Sequence, residues 1–495
     1  MVKRETWSSK AGYVFTAVGC AAGLGNMWRF PYLTFKYGGG AFFIPYLISA
    51  LLIAIPLLYL LLSIGHMGKS SPPRAFRSIV GKKAEWAGWI QELCILILNS
   101  YYVVITAWAI CYIAFSSYLP WGEGAEAVSG VNNFFYNEFI GLSESIEIAG
   151  GFSIPVVVAT ILVWFFIYLI CSKGIKRIEK VSVYFVFLAW ILLIIFSIRG
   201  AMLPGGIDIG LRSYLTPDFS AMLDPEVWAS AASQAAFSLA LGGGMAAYAS
   251  YLPEKADVNK YSLIIGFLNM FTSILAGFAV FSSAGFLAYS LGVEVSEVTL
   301  SGIPLLFITL PTAISMMPAM SQVFGILCFT SIFMLAFTSA YGIAGAFITT
   351  LIDNFKISRK KATALTILIP MTLSIFVFAR GFGMHWLDMV DRGVCYYGVM
   401  IGGLVMCIIF GWVYDPSKLR EHTNRISTIH FGRWLDIIIK FVIPIVITFE
   451  IVWGLFVSGD IYGYAGYPFW ASALGLWGLI GIVLIFSFVL PKITK

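Results

Sequence analysis

Apolar residues follow one another along this chain in runs of about twenty, long enough for a helix to cross a bilayer. Over residues 154–171, 181–198 and 471–490 the runs are almost unbroken. A spanning barrel would show alternating stretches of about ten residues instead. Only helices and closed barrels satisfy their own backbone inside lipid. The pattern therefore predicts an all-α polytopic membrane protein with about twelve transmembrane helices.

Two segments depart from this pattern. The first apolar segment contains Gly19-Cys-Ala-Ala-Gly-Leu-Gly25-Asn26, and the sixth contains Ser238-Leu-Ala-Leu-Gly242-Gly243-Gly244. Glycine disfavours a helix by about 1 kcal/mol relative to alanine, so each cluster predicts a break at mid-membrane. Broken backbone is tolerated there only where it lines a cavity or holds a ligand. Close packing through small residues would explain one such cluster. Two of them, each opening one half of a ten-helix core, point to a transport site. Half-helix N-termini suit a carboxylate. Freed carbonyls, with Asn, Ser and Thr oxygens, suit a hard cation such as sodium.

Composition sharpens the class. Of 495 residues, 59% are hydrophobic and 11% charged, against about 25% charged in soluble domains. Mean hydropathy is +0.89. The net charge of +6 is dispersed over loops and suggests no nucleic-acid partner. Lys69 to Lys83, Lys173 to Lys180, Lys356 to Lys361 and Lys418 to Arg433 form basic loops, while residues 119–150 and 293–318 contain no Lys or Arg. The positive-inside rule then puts both termini in the cytoplasm, with long outer loops near 118–151, 200–226 and 292–318, in the plasma membrane. The first segment is expected to stay as a helix, because no small-residue cleavage site marks it as a leader. Seven scattered cysteines with no CxxC pair predict packing residues, not disulfides or a zinc site. Four histidines, and no HExxH or GxSxG, argue against an enzyme. No repeated pore segment suggests a channel.

Intramembrane charge looks nearly absent apart from Arg29 and Asp391, which makes those two functional suspects. The run Trp7…Gly19-Cys-Ala-Ala-Gly-Leu-Gly-Asn26-Met-Trp-Arg29-Phe-Pro31…Gly38-Gly-Gly-Ala-Phe42…Pro45-Tyr46 resembles the opening of the neurotransmitter:sodium symporters. The likeness continues through Tyr101-Tyr102, Gln234…Phe237-Ser238, Leu268-Asn269, Thr338-Ser339 and Asp388…Asp391, in order and over nearly the whole chain.

The resemblance implies a five-plus-five inverted-repeat core with unwound first and sixth helices. Its units would be a cytoplasmic N-terminus over 1–10, a first repeat over 11–199, an outer loop over 200–226, a second repeat over 227–413, and accessory helices over 414–495. It implies two sodium ions. One would be held by the Ala21 carbonyl, Asn26, Ser238, Asn269 and the substrate carboxylate. The other would use the carbonyls of Gly19, Ala22 and Leu335 with the hydroxyls of Thr338 and Ser339. Singly, such residues are ordinary interhelical hydrogen-bond partners; it is the set that matches. Tyr102 and the N–H groups near Leu24 and Gly25 would receive the substrate carboxylate. Arg29 with Asp391 would form an outer gate over a lid of Phe237 and Tyr102. Arg4 with Asp353, beside Trp7, Ser250 and Tyr251, would form a cytoplasmic gate.

Monoamine members carry an aspartate where this chain has Gly23, so the expected substrate brings its own carboxylate and is a neutral amino acid. Leu98, Ala236, Ala240, Gly243, Ser339, Ala340 and Ile343 would line its side-chain pocket. The small residues among them suggest a large hydrophobic or aromatic substrate. Some bacterial relatives place a glutamate where this chain has Ser273. With Tyr46, Gln234, Ser238 and Asn269, that serine offers donors for a chloride ion. Cys20 and Lys36-Tyr37 depart from the usual pattern. Short termini and the lack of a cysteine pair in the second outer loop look prokaryotic. The expected assembly is a monomer or weak dimer. The alternatives are a transport-dead amino-acid sensor of the same fold, or a symporter of another small zwitterion.

Overall fold

The structure, a computed structural model, describes residues 5–239, 244–299 and 301–494. Arg4, Ala240 and Gly243 lie outside the described residues. Among those residues the chain is helical throughout, with one isolated bridge between Phe152 and Arg380.

Nine described helices are long and apolar enough to cross a membrane. They differ in what covers them. Gly39–Gly68 and Lys82–Phe115 have 78% and 72% of their apolar windows buried in protein, whereas Ile175–Ala201 has 39% and Phe469–Ile493 has 28%. The first pair are core helices. The second pair turn rows such as Phe187, Ile194, Ile485 and Phe486 outward, as helices facing lipid must. The helical run 434–457 stands outside the nine and carries Asp436, Lys440 and Glu450.

The first segment is broken where its glycines predict. Lys10–Ala21 is capped by the Ser9 side chain, which accepts from Gly12 N–H. It ends at Ala22 (φ −82, ψ 83), and Gly23 is extended (φ −112, ψ −153). The helix resumes over Leu24–Met27, with Asn26 Oδ1 accepting the Gly23 N–H at 3.1 Å. The sixth segment is a helix over Pro225–Leu239 and again over Gly244–Ala249.

At the end bearing the basic loops the chain is tightly closed. Trp7 donates its indole N–H to the Tyr248 carbonyl at 3.1 Å and packs edge-on to Tyr251. Arg359 pairs with Glu5 at 3.5 Å. His66 Nδ1 and His422 Nε2 lie 3.0 Å apart, with His66 Nε2 2.9 Å from the Pro253 carbonyl. The opposite end is built of structured loops that include helices Glu126–Asn133 and Leu310–Ser315, tied by Trp121 Nε1 donating to Ser315 Oγ at 2.7 Å.

Candidate functional site

A cavity of about 660 Å³ reaches from the break in the first segment to the loop end opposite the basic loops. Its floor is Ala21, Gly23, Leu24, Gly25 and Asn26. Leu98 and Tyr102 come from the helix Glu85–Phe115, Phe237 and Ser238 from Pro225–Leu239, and Ser339 and Ile343 from Ser321–Phe355. Toward the mouth it meets Tyr136, Asp388, Arg392, Tyr396 and Tyr464.

At the floor, the Leu24 N–H donates to the Tyr102 hydroxyl at 3.0 Å. A β-carbon placed on Gly23 would fall on that hydroxyl and lie 2.8 Å from Ser339 Oγ. The position is thus a glycine because two polar side chains converge where a third would stand. Their convergence beside the Leu24 N–H, which the Tyr102 hydroxyl occupies, suits the carboxylate of a small ligand.

Behind the floor, four polar side chains meet with almost no solvent. Asn26 Nδ2 lies 3.0 Å from Asn269 Oδ1, 3.2 Å from Ser238 Oγ and 2.7 Å from Ser273 Oγ. Asn269 Nδ2 donates to Ser238 Oγ at 2.7 Å. The Tyr46 hydroxyl is 3.5 Å from Ser273 Oγ. The side chains expected around one sodium therefore form a single cluster with Tyr46 and Ser273 of the set expected around chloride. All of its side chains are neutral, so a bound cation or anion is balanced only by another bound charge. Asn26 turns its Nδ2 to the cluster and its oxygen to the Gly23 N–H, so ligation of sodium by Asn26 requires the amide to turn and release Gly23.

The second expected cation set is also brought together. Ser339 Oγ donates to the Gly19 carbonyl at 3.0 Å, and Thr338 Oγ1 to the Leu335 carbonyl at 2.8 Å. A β-carbon on Gly19 would sit 3.3 Å from Thr338 Oγ1, so the two helices touch here. Ala22, at the end of the first half-helix, is fully buried.

Several side chains stand apart from their expected partners in this structure. Arg29 and Asp391 do not form an ion pair. Arg29 donates to Gln234 Oε1 at 3.2 Å and Ser233 Oγ at 2.9 Å, and lies over the Phe237 ring at 5.3 Å. Asp391 accepts from the Tyr101 hydroxyl at 2.6 Å. Gln234 accepts from Arg29 through its side-chain oxygen, the end of the amide that a chloride ion would not use. Phe237 packs beside Tyr396 at 6.0 Å and does not cover the floor with Tyr102. Ala236 lines a separate small cavity with Gln91, Met400 and Glu450, and the Ala340 carbonyl is taken by Asn99 Nδ2 at 3.2 Å. Neither alanine lines the main cavity. Membrane-embedded charge is also richer than expected, because Glu92 and Glu450 are both buried inside apolar helices.

At the closed end, Trp7, Ser250 and Tyr251 come together as expected. Ser250 donates to the Ala247 carbonyl at 2.5 Å, and the Tyr251 hydroxyl meets Thr349 Oγ1 at 3.0 Å. Asp353 Oδ2 accepts the Ser71 N–H at 2.7 Å, while Arg74 donates to the Asp353 carbonyl at 2.9 Å. The sequence reading missed Ser233, Tyr101 and Arg392. The last is fixed by Asp460 at 2.6 Å and lies 3.7 Å over the Tyr396 ring. Tyr101 had a signal, since adjacent tyrosines on a helix point about 100° apart and serve different partners.

The family model described as "Sodium:neurotransmitter symporter family" matches residues 4–130 and 122–495. An uncharacterized sodium-dependent transporter of Methanocaldococcus jannaschii is 38% identical over 90% of this chain and 89% of its own length. The sodium- and chloride-dependent creatine transporter 1 of Bos taurus is 29% identical over 95% of this chain and 80% of its own. The sodium- and chloride-dependent GABA transporter 2 of Rattus norvegicus is 31% identical over 85% of this chain and 75% of its own. The chain belongs to the sodium:neurotransmitter symporter family, whose members are sodium-dependent transporters and not enzymes.

Proposed function

We propose that this protein is a sodium-coupled symporter of a neutral amino acid, seen here open to the outside and closed to the cytoplasm. The observation that carries this reading is the floor of the cavity. Gly23, Tyr102 and Ser339 converge there for a carboxylate, immediately beside the Asn26, Ser238 and Asn269 cluster. A carboxylate seated there completes the first sodium site, so each ligand strengthens the other's binding. The second sodium is held by Gly19, Ala22, Leu335, Thr338 and Ser339, between the first broken helix and the helix Ser321–Phe355.

The basic end is the cytoplasmic end by the positive-inside rule, which puts both termini inside and the cavity mouth outside the plasma membrane. Residues 11–199 and 227–413 are the two inverted repeats, and alternating access moves one bundle about the site. Arg29 swings from Gln234 and Ser233 to Asp391 to close the outer side. Leu98, Phe237 and Ile343 favour a large hydrophobic or aromatic side chain. The names of the creatine and GABA transporters among the relatives support a second reading, in which the substrate is another small zwitterion.

The test is binding of the standard amino acids, creatine and GABA to the purified protein in sodium chloride, sodium gluconate and potassium chloride. Sodium-dependent binding of a large neutral amino acid is the expected result. Binding of creatine or GABA alone selects the second reading, and no sodium-dependent binding of any of these overturns both.

Chloride at Tyr46, Gln234, Ser238, Asn269 and Ser273 offsets one of the two sodium charges in a cluster whose own side chains include no carboxylate. Ser273→Glu builds that negative charge into the protein. Binding by this variant is expected to be equal in chloride and gluconate. A chloride requirement as steep as the wild type's rules the site out.

A further inference from the structure

Glu92 is fully buried, about two turns into the helix Glu85–Phe115, and it does not reach the large cavity. One of its oxygens, Oε2, is 2.9 Å from Thr350 Oγ1. The other, Oε1, meets no hydrogen-bond donor. Among the described residues no cation lies within ion-pair distance of it. An ionised carboxylate so placed costs several kcal/mol.

The Thr350 hydroxyl has two acceptors within reach, Glu92 Oε2 and the Ala346 carbonyl at 3.3 Å, and a single proton to give. A neutral Glu92 resolves this conflict. Its own O–H donates to Thr350 Oγ1, and Thr350 then donates to Ala346. The network continues toward the basic end. Asn354 Nδ2 donates to the Thr350 carbonyl at 2.9 Å and lies 3.2 Å from Ser71 Oγ. The Ser71 N–H in turn donates to Asp353 Oδ2. Thr350, Asn354 and Ser71 thus connect Glu92 to the acid at the closed cytoplasmic end, partly through their own backbone groups.

We infer that Glu92 is a proton-binding site, filled while the cytoplasmic side is closed, and that loss of its proton to cytoplasmic water favours opening of that side. Opening parts the helices Glu85–Phe115 and Ser321–Phe355 from the turn at Ser71, admits water, and lets the carboxylate ionise. Deprotonation in the closed state leaves an uncompensated buried charge, so higher cytoplasmic pH shifts the balance toward the open inside. The charged groups on the packed elements at this end are Asp353 and Lys356, Arg74 and Arg77, Lys82 and Lys83, Arg359 with Lys360 and Lys361, Glu85 and Lys492. Arg77 and Thr494 take Glu85, and Arg359 takes Glu5. The nearest acid along the network is Asp353, which accepts the Ser71 N–H. The cytoplasmic orientation of this end rests on the transporter reading, but the proton site itself does not.

The test needs no substrate. Infrared spectra of the full chain in lipid with sodium, at neutral pH, should show the C=O stretch of a protonated carboxyl that is missing in Glu92→Gln. Hydrogen exchange at 71–79 and 350–355, taken as the ratio of wild type to Glu92→Gln to cancel intrinsic chemistry, should rise with pH. One linked proton sets its limit at about tenfold per pH unit. A spectrum unchanged by Glu92→Gln, or an exchange ratio flat with pH, overturns the inference. Should Glu92→Gln fail to fold, Thr350→Val keeps the acid and removes its partner. The carboxyl band is then expected to move to higher frequency, and an unmoved band counts against the site. Sodium-dependent binding that fails in the panel above, with the carboxyl band present, would sink the symporter reading and leave this one standing.

Discussion

Changing Asn269 to alanine raises the sodium concentration needed for substrate binding by about 10- to 100-fold. Asn269 joins three groups at once. Its oxygen meets Asn26 Nδ2 at 3.0 Å, its amide donates to Ser238 Oγ at 2.7 Å, and its backbone carbonyl is 3.3 Å from Asn26 Nδ2. Alanine keeps the carbonyl and deletes the side-chain oxygen that a sodium ion would share with Asn26 and Ser238. It also takes one acceptor from Asn26 Nδ2 and the donor from Ser238 Oγ, a loss of about 1–3 kcal/mol. Sodium titrations of substrate binding, read beside the melting temperature, separate the two effects. A variant that melts early yet binds substrate at wild-type sodium would show that Asn269 holds helices together and nothing more.

Adding one methyl group at Gly23 is expected to abolish substrate binding while the protein still folds. The new carbon would stand on the Tyr102 hydroxyl and within 2.8 Å of Ser339 Oγ. Tyr102 is a ring on a core helix, not the tip of a flexible chain, and its hydroxyl already accepts the Leu24 N–H. The ring must shift or the carboxylate pocket must fill. A loss of two bidentate-quality hydrogen bonds to a charged group, at about 1.5–3 kcal/mol each, amounts to more than about a hundredfold in affinity. Equilibrium binding of the preferred amino acid checks this, with sodium-induced protection from heat as a control that the cation cluster survives. Undiminished affinity in Gly23→Ala would remove the floor of the cavity from the proposed site.

Much of this was legible in the residues because the relevant physics is local. A glycine-rich stretch in an apolar helix stops the helix wherever it is, and Ala22 and Gly23 leave helical geometry as the spacing predicts. Asn26, Ser238, Asn269 and Ser273 were expected together and are found together, since each is a polar group that lipid cannot satisfy. What failed depends on how helices are rotated and offset against each other. Arg29 is long enough to take either Asp391 or the Gln234 and Ser233 pair, and only the separation of the helices decides. Ala236 follows Gln234 by two positions on a helix of 3.6 residues per turn, so a modest rotation moves it from the cavity to a neighbouring interface. Glu92 and Glu450 were hidden for another reason. Each is one acid in a long apolar run, where averaging over the run erases it.

The resting place of Arg29 has a thermodynamic consequence. With its guanidinium hydrogen-bonded to Gln234 and Ser233 and seated on Phe237, and with Asp391 bonded to Tyr101, neither member of the pair is left wanting when they are apart. If the proposed gate closes by pairing Arg29 with Asp391, it exchanges one satisfied arrangement for another, so these side chains add little to the free-energy difference between open and closed. Driving an equilibrium from 1:99 to 99:1 demands a ligand about 10⁴-fold selective for one state. A gate that adds little bias of its own leaves correspondingly less for a bound ligand to overcome.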